Sequence, residues 1–134
     1  MGQGVLVTED TEAGAELVRR LDRFTPVKAA GWVKDVEKSN WHLYMASDAF
    51  DGETLRPAYA EVMKLAAELP GPEFDPFLVN LVPTRDPIAR DLLGLYQEYP
   101  GLTATHLGAT YFGGRVVDGV YVYPPPAAPA APVP

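Results

Sequence analysis

Apolar residues recur at helical spacing in three segments of the chain, so the pattern predicts three amphipathic helices. The first covers residues 9 to 23 and begins among acidic side chains, which favour a helix N-terminus. The second covers residues 55 to 69, with Thr54 as its expected N-cap. The third covers residues 87 to 99 and starts at Asp86-Pro87, a pair typical of an N-cap and first helical position.

Segments rich in β-branched and aromatic residues alternate with these helices and predict strands. Residues 27 to 36 and 40 to 47 flank a polar turn and predict an antiparallel hairpin. Both faces of its second strand carry apolar or aromatic side chains, so we expect both faces of the sheet to be covered there. The short apolar run from 77 to 82 lies between two prolines and predicts a central strand that is buried on both faces.

Two turns compete to close the last hairpin, Gly113-Gly114 and Asp118-Gly119. The Asp-Gly turn would leave only four residues for the returning strand. The Gly-Gly turn allows longer pairing, between residues 103 to 112 and 115 to 123, and is the favoured alternative.

The resulting element order, αββαβαββ, predicts one α+β domain over residues 5 to 123. In this domain a mainly antiparallel sheet of about five strands packs with three helices, and an α/β sandwich is the close alternative. Residues 124 to 134 contain six prolines and no charge, so they predict an extended polyproline II tail. Such a tail serves as an inert spacer or as a docking peptide.

Composition narrows the classes of function. The chain has 134 residues, enough for one core of useful size, and its lack of cysteine removes disulfides, thiolate nucleophiles and cysteine metal sites. A formal charge of −7 without a run of Lys or Arg disfavours nucleic acid as a partner. No apolar stretch approaches the roughly 20 residues of a membrane span, and no export signal is evident, so we expect a cytoplasmic protein without a membrane partner.

The candidates for chemistry are His42, His106 and Asp48. Both histidines fall on predicted strands and would form a zinc or acid–base site only if they were adjacent on one face with a carboxylate. An EF-hand loop that began at Asp48 would place Phe50 and Tyr59 where oxygen ligands are needed, so calcium is not expected. Nucleotide-binding and serine-nucleophile motifs are also missing from the sequence, and we expect no metal or cofactor.

Five residues are candidates for binding. Asn80 is a polar residue in an otherwise apolar strand, so its amide needs partners in a ligand pocket or on a loop backbone. Arg85 and Asp86 follow the end of that strand, beside a helix start where α/β architectures often place sites. Trp32 and Tyr44 are of the types that anchor protein interfaces.

The outer hairpins hold most of the aromatic residues. We expect much of this set to form core, and a sheet face on which aromatic side chains are left over would be a docking surface. The set comprises Trp32, Trp41, Tyr44, Tyr111, Phe112, Tyr121 and Tyr123.

Three segments, residues 26–34, 41–47 and 118–124, resemble parts of a group of short uncharacterised bacterial proteins. These segments are strand-like, and the resemblance implies no activity, ligand or partner.

The sequence thus favours recognition over catalysis. Our leading hypothesis is a non-enzymatic cytoplasmic protein-interaction or accessory module, and its most specific form is an acidic inhibitor of a basic partner. A homodimer is a further option. The alternative is a small enzyme or ligand-binding protein that uses His42, His106 and nearby carboxylates. Adjacent histidines in a cleft would support the alternative, whereas separated histidines and a contiguous aromatic patch would support the interaction module.

Overall fold

A computed structural model describes residue 6 and residues 8–38, 40–69 and 74–125. The predicted tail beyond residue 125 and the predicted start of the domain at residue 5 lie outside these ranges. The described chain forms helices α1 (Thr8–Phe24), α2 (Leu55–Glu68) and α3 (Pro87–Glu98). The strands are β1 (Ala29–Asp35), β2 (His42–Ala46), β3 (Val79–Val82), β4 (Thr105–Leu107), β5 (Thr110–Phe112) and β6 (Arg115–Val122).

The six strands form one mixed sheet in the order β3-β2-β1-β6-β4, and β5 also pairs with β6. Every strand pair is antiparallel except β2 and β3. The predicted α+β class is therefore confirmed. The described sheet has six strands rather than about five because the predicted strand 103–112 is interrupted between β4 and β5, opposite Asp118 and Gly119 of β6.

Helices cover both faces of the sheet. This was expected from the apolar and aromatic side chains on both faces of the second strand of the first hairpin. Helices α1 and α2 pack together over one face, where Trp32, Leu43 and Met45 join their apolar stripes in one core. Helix α3 packs on the opposite face, where Ile88 and Leu92 are almost completely buried. Each such side chain stabilises the fold by about 1.5–3 kcal/mol relative to its exposed state.

The run predicted as a central strand is instead the edge strand β3, so that part of the prediction was wrong. The chain leaves β2, forms α2 and returns to run parallel to β2, which places β3 outermost. The apolar residues of β3 are explained by the helices that cover both faces of the sheet. They do not indicate whether a strand pairs along one edge or along both. At one of those edges the Leu81 N–H donates to the Tyr59 hydroxyl of α2 at 2.9 Å, which blunts the edge.

The Gly113-Gly114 turn closes the last hairpin, as favoured from the sequence. Phe112 pairs with Arg115 across it, and the glycines have φ values of +64° and +81°, as a two-residue hairpin turn requires. The Gly113 N–H donates to an Asp91 carboxylate oxygen at 2.7 Å, and a Cβ at Gly113 would overlap Ile88. The turn is thereby held against α3.

Thr54 occupies the predicted N-cap position of α2 but does not cap the helix with its side chain. Its hydroxyl donates to the Asp51 carbonyl at 2.7 Å, so it closes the preceding turn instead.

Two hydrogen bonds at the Tyr123 hydroxyl fasten α1 to the sheet. The Trp32 indole N–H donates to this hydroxyl at 2.8 Å, and the hydroxyl donates to the Thr11 carbonyl at 2.6 Å. Gly14 makes the approach possible, because a Cβ there would overlap the Tyr123 hydroxyl and lie 3.0 Å from Trp32 Nε1. Burial raises the pKa of Tyr123, so its hydroxyl stays protonated and remains a donor.

We predict that Tyr123→Phe lowers the free energy of unfolding by about 1–3 kcal/mol, because it leaves the buried Trp32 N–H without a partner. Chemical denaturation measures this loss. The matched control is Tyr111→Phe, because the Tyr111 hydroxyl bonds to the Gly114 carbonyl at an exposed position where water can replace it. Equal stability of the two variants would contradict the prediction.

Candidate functional site

The two histidines lie on opposite faces of the sheet. His42 pairs with Val33, which belongs to the core beneath α3. His106 pairs with Tyr121, which in turn pairs with Trp32 on the face covered by α1 and α2. Strands β1 and β6 also separate β2 from β4, so the two histidines are three strand spacings apart, about 14 Å. The fold does not bring the imidazoles into one site.

Asp48 has a structural role in its loop. It forms an ion pair with Lys28 Nζ at 2.8 Å and accepts a hydrogen bond from the Thr84 hydroxyl at 2.7 Å. These two partners hold the pKa of the Asp48 carboxyl below its usual value. Within the described ranges, no three or more His, Asp and Glu side chains are grouped so that they could hold a metal ion.

Arg85 and Asp86 are engaged at the same end of the sheet. Arg85 Nη2 pairs with an Asp51 carboxylate oxygen at 2.8 Å on the surface, which ties the loop after β3 to the loop after β2. Asp86 accepts a hydrogen bond from the Ile88 N–H at 2.9 Å and is the side-chain N-cap of α3, as predicted. Asp86 is thus engaged within the fold, whereas 70% of the Arg85 side chain remains exposed and its role in binding stays a prediction.

Asn80 finds its partner in His42 and not in a loop backbone. Its Nδ2 lies 3.2 Å from His42 Nδ1, on the α3 side of the sheet. Burial, and then the charge of Lys38, lower the pKa of His42, while the Leu78 backbone and Asp75 act in the opposite direction. The neutral imidazole that results can accept the Asn80 amide proton.

A second polar group, which sequence reasoning missed, lies on the same face as His42. Arg115 Nη1 pairs with an Asp35 carboxylate oxygen at 3.2 Å, and Arg115 also interacts with the Tyr44 hydroxyl. Burial raises the pKa of Tyr44, and Arg115 opposes this shift. The only signal in the sequence was an arginine directly after the Gly-Gly turn, because the partners of Arg115 depend on strand register.

Trp32, predicted as a binding residue, is a core residue. Only 1% of its surface is exposed, its ring packs edge-on against Phe74 at a centroid distance of 6.1 Å, and its N–H bonds to Tyr123. A docked partner would not reach it.

The uncovered half of the α1/α2 side of the sheet carries exposed aromatic and aliphatic side chains. We call the group of His106, Tyr111, Val116 and Tyr121 the aromatic sheet face. Tyr111 and Val116 form a cross-strand pair and are 71% and 55% exposed. His106 and Tyr121 form a second pair, with His106 exposed and Tyr121 half-buried.

Trp41 packs beside His106 on the side of the sheet that carries the aromatic sheet face. Its ring lies against Gly119 of β6, where a Cβ would come within 2.7 Å of it, and meets the His106 ring edge-on at 5.8 Å between centroids. The Tyr121 ring meets the His106 and Tyr123 rings edge-on, with distances between ring centroids of 6.3 Å and 5.4 Å. Edge-to-face contacts thus run from the core to the surface and hold these rings in place.

We predict that His42 titrates below its ordinary value of 6.5. Because the fold favours neutral His42, its contribution to stability is complete above pH 6.5 and is lost as the pH falls through the lower folded-state pKa. NMR titration of the imidazole measures this pKa, and His42→Gln should flatten the loss of stability below pH 6.5. Asn80→Asp should raise the pKa of His42, because it adds a negative charge beside the ring. A wild-type value at or above 6.5 would contradict the assignment.

No family model, curated protein or solved structure matches this chain. Among the described residues, no helix is long and apolar enough to cross a membrane. We therefore infer the function of this chain from the geometry of its described residues.

Proposed function

We propose that this protein is a non-enzymatic protein-interaction module and that a basic partner protein docks on the aromatic sheet face. One observation supports this proposal above all. Tyr111 and Val116 expose 71% and 55% of their surfaces in a region of the sheet that the helical layer leaves open. Large apolar side chains grouped at a surface are typical of interfaces.

Two rings of this face, His106 and Tyr121, are held by neighbouring rings before any partner arrives. Trp41 is 7% exposed and contacts His106, and Tyr121 contacts the buried Tyr123. A rigid aromatic surface loses little side-chain entropy when it binds, so more of its contact energy is available for affinity. Tyrosine also combines a large apolar ring with a hydroxyl that can satisfy polar groups at an interface.

Charge favours a basic partner. The chain carries a formal charge of −7, which attracts cationic proteins over a distance and speeds their association. Beside the aromatic sheet face, Asp118 pairs with Lys34 at 3.0 Å, but the carboxylate side chain is 47% exposed and the lysine only 14%. Aromatic ring faces also bind guanidinium and ammonium groups, so Arg and Lys side chains of a partner fit both features. Inhibition of a basic partner is the specific form that we propose.

The competing function, a site built from both histidines and nearby carboxylates, lacks the adjacency that it needs. His42 interacts with Asn80 on the α3 side, whereas His106 packs between Trp41 and Tyr121 on the other side. The separated histidines and the grouped aromatic side chains both favour the interaction module.

The test compares a face variant with a matched surface control. The face variant is Tyr111→Ser with Val116→Thr, which removes apolar surface while retaining β-forming ability at position 116. The control is Phe77→Ser with Met63→Ser, because these residues are also exposed, at 78% and 45%, but lie outside the aromatic sheet face. Each protein captures partners from the native host, and the partner retained by the wild type is then purified for titration.

We expect the wild type and the control to bind the same partner, with a basic net charge and with affinity that falls as salt rises. The face variant should bind at least about tenfold more weakly, a loss of roughly 1.4 kcal/mol. Unchanged affinity in the face variant, or an acidic partner, would contradict the proposal.

A further inference from the structure

A charged groove of about 480 Å³ lies between helices α1 and α2. It shares no residue with the aromatic sheet face, and we call it the α1/α2 groove. Its lining contains three arginines and three glutamates, so it is neutral overall although the whole chain carries a formal charge of −7. These charged residues are Glu16, Arg19, Arg20 and Arg23 of α1, and Glu61 and Glu68 of α2.

The opposite charges are divided between the two walls of the groove. All three arginines lie on the α1 wall, where Arg19 and Arg20 pair with Glu16 of the same helix. The charged residues of the α2 wall are both glutamates. Within the part of the chain that the structure describes, no ion pair joins the two walls, and Arg23 and Glu61 take part in none. The groove therefore has a positive wall and a negative wall that do not neutralise each other.

The two helices run antiparallel along the groove. Phe24, the last residue of α1, lines the groove together with Glu61, and it also lines a neighbouring pocket with Pro57 and Ala58. The end of α1 thus lies beside the first half of α2. Arg23, which directly precedes Phe24, is therefore near the level of Glu61 along the groove.

We propose that a second copy of this chain docks on the α1/α2 groove about a two-fold axis parallel to the two helices. This rotation places α1 of each copy against α2 of the other, so each positive wall meets a negative wall. The rotation also keeps every residue at its own level along the groove. Arg23 of each copy therefore faces Glu61 of the other copy, and the same ion pair forms twice.

Charge favours a second copy over another protein as the occupant. Because each copy carries a formal charge of −7, two copies repel each other on average, but the neutral lining of the groove removes this repulsion where they meet. A symmetric dimer requires a surface that is complementary to itself, and two walls of opposite charge meet this requirement. A strongly basic partner would face the three arginines. Phe24, which is 48% exposed, adds apolar contact at one end of the groove.

The dimer does not depend on the proposed function, because the two interactions use different residues. The variants that test the dimer alter no residue of the aromatic sheet face. The face variant, Tyr111→Ser with Val116→Thr, alters no residue that lines the groove. Either interaction can therefore be lost while the other is still measured.

Charge reversal in the full-length protein tests the dimer. Sedimentation equilibrium measures the association of the wild type at concentrations up to about 1 mM, which reveals even weak association. Arg23→Glu and Glu61→Arg should each weaken it at least about tenfold, because like charges then meet twice in the dimer. An equal mixture of the two variants should form a heterodimer about as tight as the wild-type dimer, because every reversed charge then meets an opposite charge.

The matched control is Arg90→Glu. Arg90 is exposed on α3, away from the groove, and its reversal changes the net charge as much as Arg23→Glu does. This control should associate like the wild type. Glu61→Arg makes the chain less negative, so weaker association of that variant cannot come from greater overall repulsion.

Four results would overturn the proposal. A wild type that is monomeric at every concentration would show that no dimer forms. Undiminished association of Arg23→Glu and Glu61→Arg would place the contact on another surface. Equal weakening in Arg90→Glu would show a general effect of net charge. A mixture that associates no more tightly than either variant alone would show that the two residues do not face each other, since mixing cannot restore a damaged fold.

Discussion

The hydroxyl of Tyr123 determines where the helical layer lies on the sheet. It accepts a hydrogen bond from Trp32 of β1 and donates one to the Thr11 carbonyl of α1, so one buried atom joins the two elements. Water has little access to the groups that form these bonds, because Trp32 and Tyr123 are only 1% and 6% exposed. A buried polar group without its partner is costly, so α1 cannot slide along the sheet without breaking this arrangement. Gly14 provides the close approach that the bonds require.

The position of α1 decides what remains uncovered. Helix α2 packs against α1 and reaches β3, so the two helices cover the half of the sheet that contains β1, β2 and β3. The hairpin of β4, β5 and β6 extends beyond them and keeps Tyr111 and Val116 exposed. On the other side, α3 holds the turn of the same hairpin through Asp91 and Gly113. The aromatic sheet face is thus fixed from behind while its front stays open.

The sequence predicted those parts of the fold that are decided locally. The three helices follow from their apolar periodicity and from Asp86, whose carboxylate caps α3 as expected. The Gly113-Gly114 turn follows from the positive φ values that a two-residue turn needs. The pattern of the first hairpin correctly indicated that both faces of the sheet are covered, since apolar side chains alternate onto both.

Features that depend on strand order and register were not predictable in the same way. An apolar run reads alike in a central strand and in an edge strand covered by helices, so β3 was misplaced. Whether His42 and His106 share a face depends on the register of the three strand pairs that lead from β2 through β1 and β6 to β4, and a shift of one residue reverses the face. The contacts of Arg115 with Asp35 and Tyr44 likewise arise only after β6 is placed beside β1. The sequence predicted that some of the aromatic residues form core, but it could not show that Trp32 is one of them.

The most direct test of the account is hydroxyl-radical footprinting of the tyrosines, on the free protein and on its complex with the partner retained from the native host. In the free protein Tyr111 should be labelled heavily and Tyr123 hardly at all. In the complex, labelling of Tyr111 and Tyr121 should fall while that of Tyr99 stays unchanged, because Tyr99 lies on the opposite side of the sheet. Protection of Tyr99 with Tyr111 still fully labelled would contradict the claim that the aromatic sheet face is where the partner binds.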